Sequence, residues 1–85
     1  MQNYFLITFR SITYAQRGQQ ALRSVGIDCQ LRRTPRELSG RGCGYGLLLR
    51  SRDALAAAEL LRERTISFNK IYAKLPDGTM EERTL

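Results

Sequence analysis

Between Tyr4 and Leu75 the apolar residues of this chain switch repeatedly between a spacing of two and a spacing near 3.6. A period of two marks a half-buried strand, and one of 3.6 marks an amphipathic helix. Asn3 to Phe9 therefore reads as a strand, with Phe5, Ile7 and Phe9 on one face and Tyr4, Leu6 and Thr8 on the other. Ser11 or Thr13 can cap a helix in which Ala15, Gly18, Leu22 and Val25 recur at helical spacing, and Gly26 is placed to end it. Gly18 costs that helix about 1 kcal/mol of propensity relative to alanine. Close approach of the helix to a sheet is the expected compensation.

Ile27 to Arg32 alternates again, with Cys29 on the apolar side between Ile27 and Leu31. Gly46 to Arg50 is a third strand, with Gly44 as its earliest start. Ser51 is predicted to cap an Ala/Leu-rich helix through Arg64, with Asp53 near its positive end and Arg62 and Arg64 near its negative end. Ser67 to Leu75 is the last predicted strand, ended by Pro76-Asp77-Gly78. The order β-α-β-β-α-β predicts an α+β, ferredoxin-like sandwich, in which two helices cover one face of a four-stranded antiparallel sheet. Residues 1–85 are read as a single domain around one modest core, with 76–85 as a mobile tail or short extension.

Composition removes several classes of chemistry. Histidine is absent, so the usual general base and the commonest metal ligand are both missing. Two cysteines make neither a disulfide framework nor, without histidine, a zinc site, and no cofactor or metal is expected. No stretch approaches the ~20 apolar residues of a membrane span. Arg10 cuts short the first apolar run and no basic segment precedes it, so the expected location is cytoplasmic. The formal net charge is +6. From Gln30 to Arg52 the chain carries Arg32, Arg33, Arg36, Arg41, Arg50 and Arg52 against Glu37 alone. Such basicity attracts anions in general and names no partner.

The segment Thr34-Pro35-Arg36-Glu37-Leu38-Ser39-Gly40-Arg41-Gly42-Cys43-Gly44 is where chemistry could reside. Thr34 can be an N-cap, Pro35 suits the first helical position, and Glu37 completes a capping box. One short helical turn is expected there, closed by Gly40. Gly42 and Gly44 flank Cys43, and glycine-rich amides can curl into a nest that holds an anion. With Arg36 and Arg41 nearby, such amides favour the thiolate of Cys43 over the thiol. Cys29, in mid-strand among apolar residues, reads instead as an inert core residue.

These residues also carry a family resemblance. The strand Tyr4–Ser11, the run Thr34–Ser39, the Gly42-Cys43-Gly44 triplet and the strand ending in Arg50 resemble the selenium/sulfur-carrier-like family of small bacterial domains. The resemblance covers about Tyr4 to Tyr72, and its specific part is the TPRELS segment followed by the Cys-Gly pair. It implies that Cys43 carries sulfur or selenium as a persulfide or selenopersulfide, handed from a donor protein to an acceptor protein. Relative to the family pattern, an extra Arg41-Gly42 precedes Cys43.

Two other readings compete with a non-enzymatic carrier. Gly44-Tyr45-Gly46-Leu47-Leu48 partly matches the third-strand pattern of RNA recognition motifs, whose strand and helix order is the same. Tyr45 would then stack a base from the open face of the sheet. Alternatively, an open face carrying Tyr4, Leu6, Tyr45 and Leu47 pairs with a second copy or with another protein. Independent turnover is not expected, because no base, metal cluster or phosphate-loop lysine completes a site.

Overall fold

The alternation from Tyr4 to Phe9 is realised as β1 (Tyr4–Phe9), the central strand of the sheet. The computed structural model describes residues 4–34 and 44–85. Along the chain β1 is followed by α1 (Ile12–Ser24), β2 (Cys29–Arg33), β3 (Tyr45–Arg50), α2 (Ser51–Glu63), β4 (Ile71–Lys74) and β5 (Met80–Arg83). All strand pairs are antiparallel, in the order β2-β3-β1-β4-β5. β3 thus lies between β1 and β2, and β1 lies between β3 and β4. Each β-α-β unit is split by a strand of the other.

The expected four-stranded sandwich is corrected to a five-stranded sheet. Met80–Arg83 pairs with β4, from Lys74 opposite Met80 to Ile71 opposite Arg83. The turn before it makes this possible. Asp77 Oδ1 accepts from the Thr79 amide at 2.9 Å and from its hydroxyl at 2.7 Å. Gly78 sits at a φ of 91°, where a side chain would be strained. β5 is polar and mostly exposed, so no apolar alternation marks it in the sequence.

Both described helices end in the same way. In α1 the Gly26 amide donates to the Arg23 carbonyl (3.0 Å) and the Ile27 amide to the Leu22 carbonyl (2.9 Å). Gly26 takes a φ of 81° there, as expected of the terminator. In α2 the Thr65 and Ile66 amides repeat the pattern onto Arg62 and Leu61, and Thr65 is held at a φ of 54°. The helix starts differ. Ser11 caps α1, its Oγ accepting from the Tyr14 amide at 3.4 Å. Ser51, expected as a cap, is the first residue of α2; Arg50 occupies the cap position with no side-chain bond, because β3 runs directly into the helix.

The core lies between the helices and one face of the sheet. Ile7, Phe9, Leu47 and Leu49 from the strands meet Leu22, Ala57 and Leu61 from the helices. Gly18 is the closest approach: a Cβ there would stand 3.0 Å from Phe9, 3.3 Å from Leu47 and 3.3 Å from Leu61. Helix propensity is given up at Gly18 so that α1 can settle against both the sheet and α2. Val25, expected on the apolar stripe, is exposed beyond the last turn, and Ala21 takes its place in the buried set.

Candidate functional site

Of the residues singled out in the sequence, Pro35, Arg36, Glu37, Arg41, Gly42 and Cys43 lie outside the described residues. The two residues that bracket them are described, and they are joined. The Thr34 amide donates to the Gly44 carbonyl at 3.0 Å, immediately beyond the pairing of Arg33 with Tyr45. Thr34 is 4% exposed, and its Oγ1 is buried without a hydrogen-bond partner among the described residues. A Cβ on Gly44 would stand 3.6 Å from that hydroxyl oxygen and 3.6 Å from the Phe9 carbonyl oxygen. Thr34 and Gly44 therefore meet at one tight point where β2 ends and β3 begins.

That point sits at a particular end of the molecule. Tyr45 is paired with Phe9, and α1 begins three residues after Phe9, at Ile12. The positive end of α1 is thus at the same end of the sheet as the Thr34–Gly44 base, with no acidic residue in its first turn. The Arg33 guanidinium lies 5.9 Å from the centre of the Tyr45 ring, a cation–π contact at the same edge.

Cys29 is placed as expected for an inert residue. It is 8% exposed, packed with the core cluster, and a free thiol. Burial pushes its thiol up; Arg23 opposes that shift and Asp28 adds to it.

The open face needs correction. Leu47 is fully buried beneath the helices, and Tyr45 is half-buried against the same core. Strand alternation in β3 runs opposite to the expectation that its glycines pack under the helices. Gly46 faces outward instead: a Cβ on it would stand 2.7 Å from Leu6 Cδ1 and 3.2 Å from the Ile7 carbonyl oxygen. The run Leu47-Leu48-Leu49 is apolar in either register, so local alternation could not choose between faces. The crowding of Gly46 by Leu6 is the signal that decides it. The outer face therefore carries Tyr4 and Leu6, as expected, together with Leu48 and Tyr72 in place of Tyr45 and Leu47. Base stacking on Tyr45 from that face is excluded by its placement on the helix side.

Among the described residues no three His, Cys, Asp or Glu side chains gather as a metal site, and no helix is long and apolar enough to cross a membrane. Residues 4–73 match the family described as "Putative Se/S carrier protein-like", and the chain belongs to that family. No curated protein and no solved structure matches it. The match ends within β4, so β5 lies beyond it.

Proposed function

We propose that the protein carries sulfur or selenium on Cys43, as a persulfide or selenopersulfide passed between a donor and an acceptor protein. The observation that carries this reading is the family match over residues 4–73, which includes Cys43. The chain's other cysteine, Cys29, is buried against the core, and burial favours its thiol form. The chemistry needs no histidine, metal or cofactor. The Cys43 thiolate attacks the terminal sulfur of a donor persulfide, the donor's S–S bond breaks, and the donor cysteine leaves as a thiolate. The new S–S bond is on Cys43, electrons balance, and nothing is oxidised or reduced overall. A selenopersulfide transfers its terminal selenium by the same steps.

Three features favour the anion on which this depends. The positive end of α1 lies at the end of the sheet where residues 35–43 depart. Arg36 and Arg41 precede the cysteine in sequence, and the glycines on either side of it, Gly42 and Gly44, are the residue type whose amides can form an anion-binding nest. Thr34, Pro35 and Glu37 carry the capping-box pattern ahead of it in the sequence. Thiolate carriers of this kind require a reducing compartment, so we assign the protein to the cytoplasm.

Incubation with a cysteine desulfurase and cysteine, followed by mass measurement, tests the proposal. The expected result is a gain of about 32 Da on Cys43, the mass of one persulfide sulfur, that reductant removes. Cys29→Ser should retain it and Cys43→Ser should lose it. Failure of the wild-type protein to gain this mass would overturn the carrier role.

A further inference from the structure

The outer face of the sheet holds a small hollow with an unusual lining. Leu6, Leu48 and Met80 supply an apolar floor and wall, while Arg32, Arg33 and Lys74 stand around it; no acidic residue among those described lines it. The Arg33 guanidinium lies over the Tyr45 ring, 5.9 Å from its centre, so Arg32 and Lys74 are the cations left to meet a ligand there. Arg32 is held in place: its Nη2 and Nε donate to Gln30 Oε1 at 2.6 and 3.2 Å. Glu82 is the only acid on the outward positions of the five strands, and Lys70 already pairs with it at 3.4 Å.

Size and charge together select the occupant. The hollow measures about 200 Å³, below the roughly 300–1,000 Å³ of sites that enclose whole small molecules. It suits one large apolar side chain, the usual anchor of a protein–protein contact. Two strands separate Arg32 from Lys74, and four positions along the sheet offset them. At ~4.8 Å per strand and ~3.4 Å per residue their Cα atoms lie roughly 20 Å apart, the reach of about six extended residues. Nucleic acid fits less well. β3 offers Gly46, Leu48 and Arg50 outward, and Tyr72 is 7% exposed, so Tyr4 stands without a second free ring and no row of aromatic faces is available for stacking among the described residues.

We infer that the outer sheet face docks an acidic segment of a partner protein, with one aliphatic or aromatic side chain entering between Leu6, Leu48 and Met80 and carboxylates meeting Arg32 and Lys74. Lys74 and Met80, which lie beyond the residues of the family match, complete the hollow from the β4–β5 hairpin. The inference deepens the carrier reading by naming how a donor or acceptor is held, but it does not use Cys43.

Fluorescence anisotropy with a labelled heptapeptide, glutamates around one central phenylalanine, tests it. Saturable binding is expected, weakening at least tenfold in the Arg32→Glu, Lys74→Glu double variant and severalfold in Met80→Ala, with amide spectra confirming that both variants fold. Replacing the peptide's phenylalanine by serine should weaken binding comparably. The inference is overturned by absence of binding, by equal affinity for the serine peptide, by tighter binding of an oligouridylate of equal charge, or by sedimentation showing a dimer that covers this face. Cys43→Ser should bind the peptide as the wild type does. The double variant should still accept sulfur at Cys43 from a small-molecule persulfide, so failure of docking and failure of the carrier role give different results.

Discussion

Thr65 and Gly26 occupy equivalent positions after their helices, with matching hydrogen bonds and a positive φ, yet only one of them is glycine. A β-branched residue in the left-handed region costs about 1–2 kcal/mol. Thr65→Gly is therefore expected to stabilise the fold by about 1 kcal/mol, raising Tm by roughly 4–8 °C for a domain this size. An unchanged or lower melting temperature in calorimetry would show that the strain is absorbed elsewhere. Cys29 yields a second expectation. Its folded pKa lies above the ordinary 9.0, so the protonated thiol is the form the fold prefers. That contribution is complete below pH 9.0, where the unfolded chain also keeps the proton, and is lost as pH rises through the higher folded value. In a Cys43→Ser background, denaturant unfolding should show stability falling over that window more steeply than in the same background with Cys29→Val. Equal slopes would exclude Cys29 as the source.

The element with the least support from its own sequence is β5. Its residues are polar, and the turn before it does most of the ordering through Asp77 and Thr79. Those two hydrogen bonds hold the Asp77 carboxyl below the usual carboxylate value. The bonds are present while Asp77 is ionised, above that ordinary value, and are lost as pH falls through the lowered one. Asp77→Ala should speed amide exchange of Met80–Arg83 severalfold while leaving the centre of β1 unchanged. Uniform loss of protection would mean that the hairpin is not a separate unit. β1 and β3, by contrast, are secured by packing. Each places alternate side chains in the core, and Thr8 adds a clasp, its hydroxyl accepting from the Lys70 amide at 3.0 Å and donating to the Lys70 carbonyl at 3.1 Å. This clasp sits just ahead of β4, whose predicted start at Ser67 is shortened to Ile71.

At the scale of the whole molecule, a net charge of +6 acts against compaction. The ion pairs among the described residues, Lys70–Glu82 and Arg83–Glu81, are both exposed and contribute at most about 1 kcal/mol each. Screening should therefore help more than it harms: raising monovalent salt from about 10 to 150 mM is expected to raise Tm by a few degrees. A fall in Tm would mean that attractive pairs dominate. The sequence by itself determined the order of elements from β1 to β4, the termination of α1 at Gly26, the burial of Cys29 and the family, because period, glycine placement and motif are local properties of the chain. Only the tertiary structure decided which face of β3 is buried, since three consecutive leucines satisfy either register and the choice rests on Gly46 meeting Leu6 across the sheet. It also decided that Met80–Arg83 is a strand, because what recruits that polar segment is the unpaired edge of β4, which exists only once the other four strands are assembled.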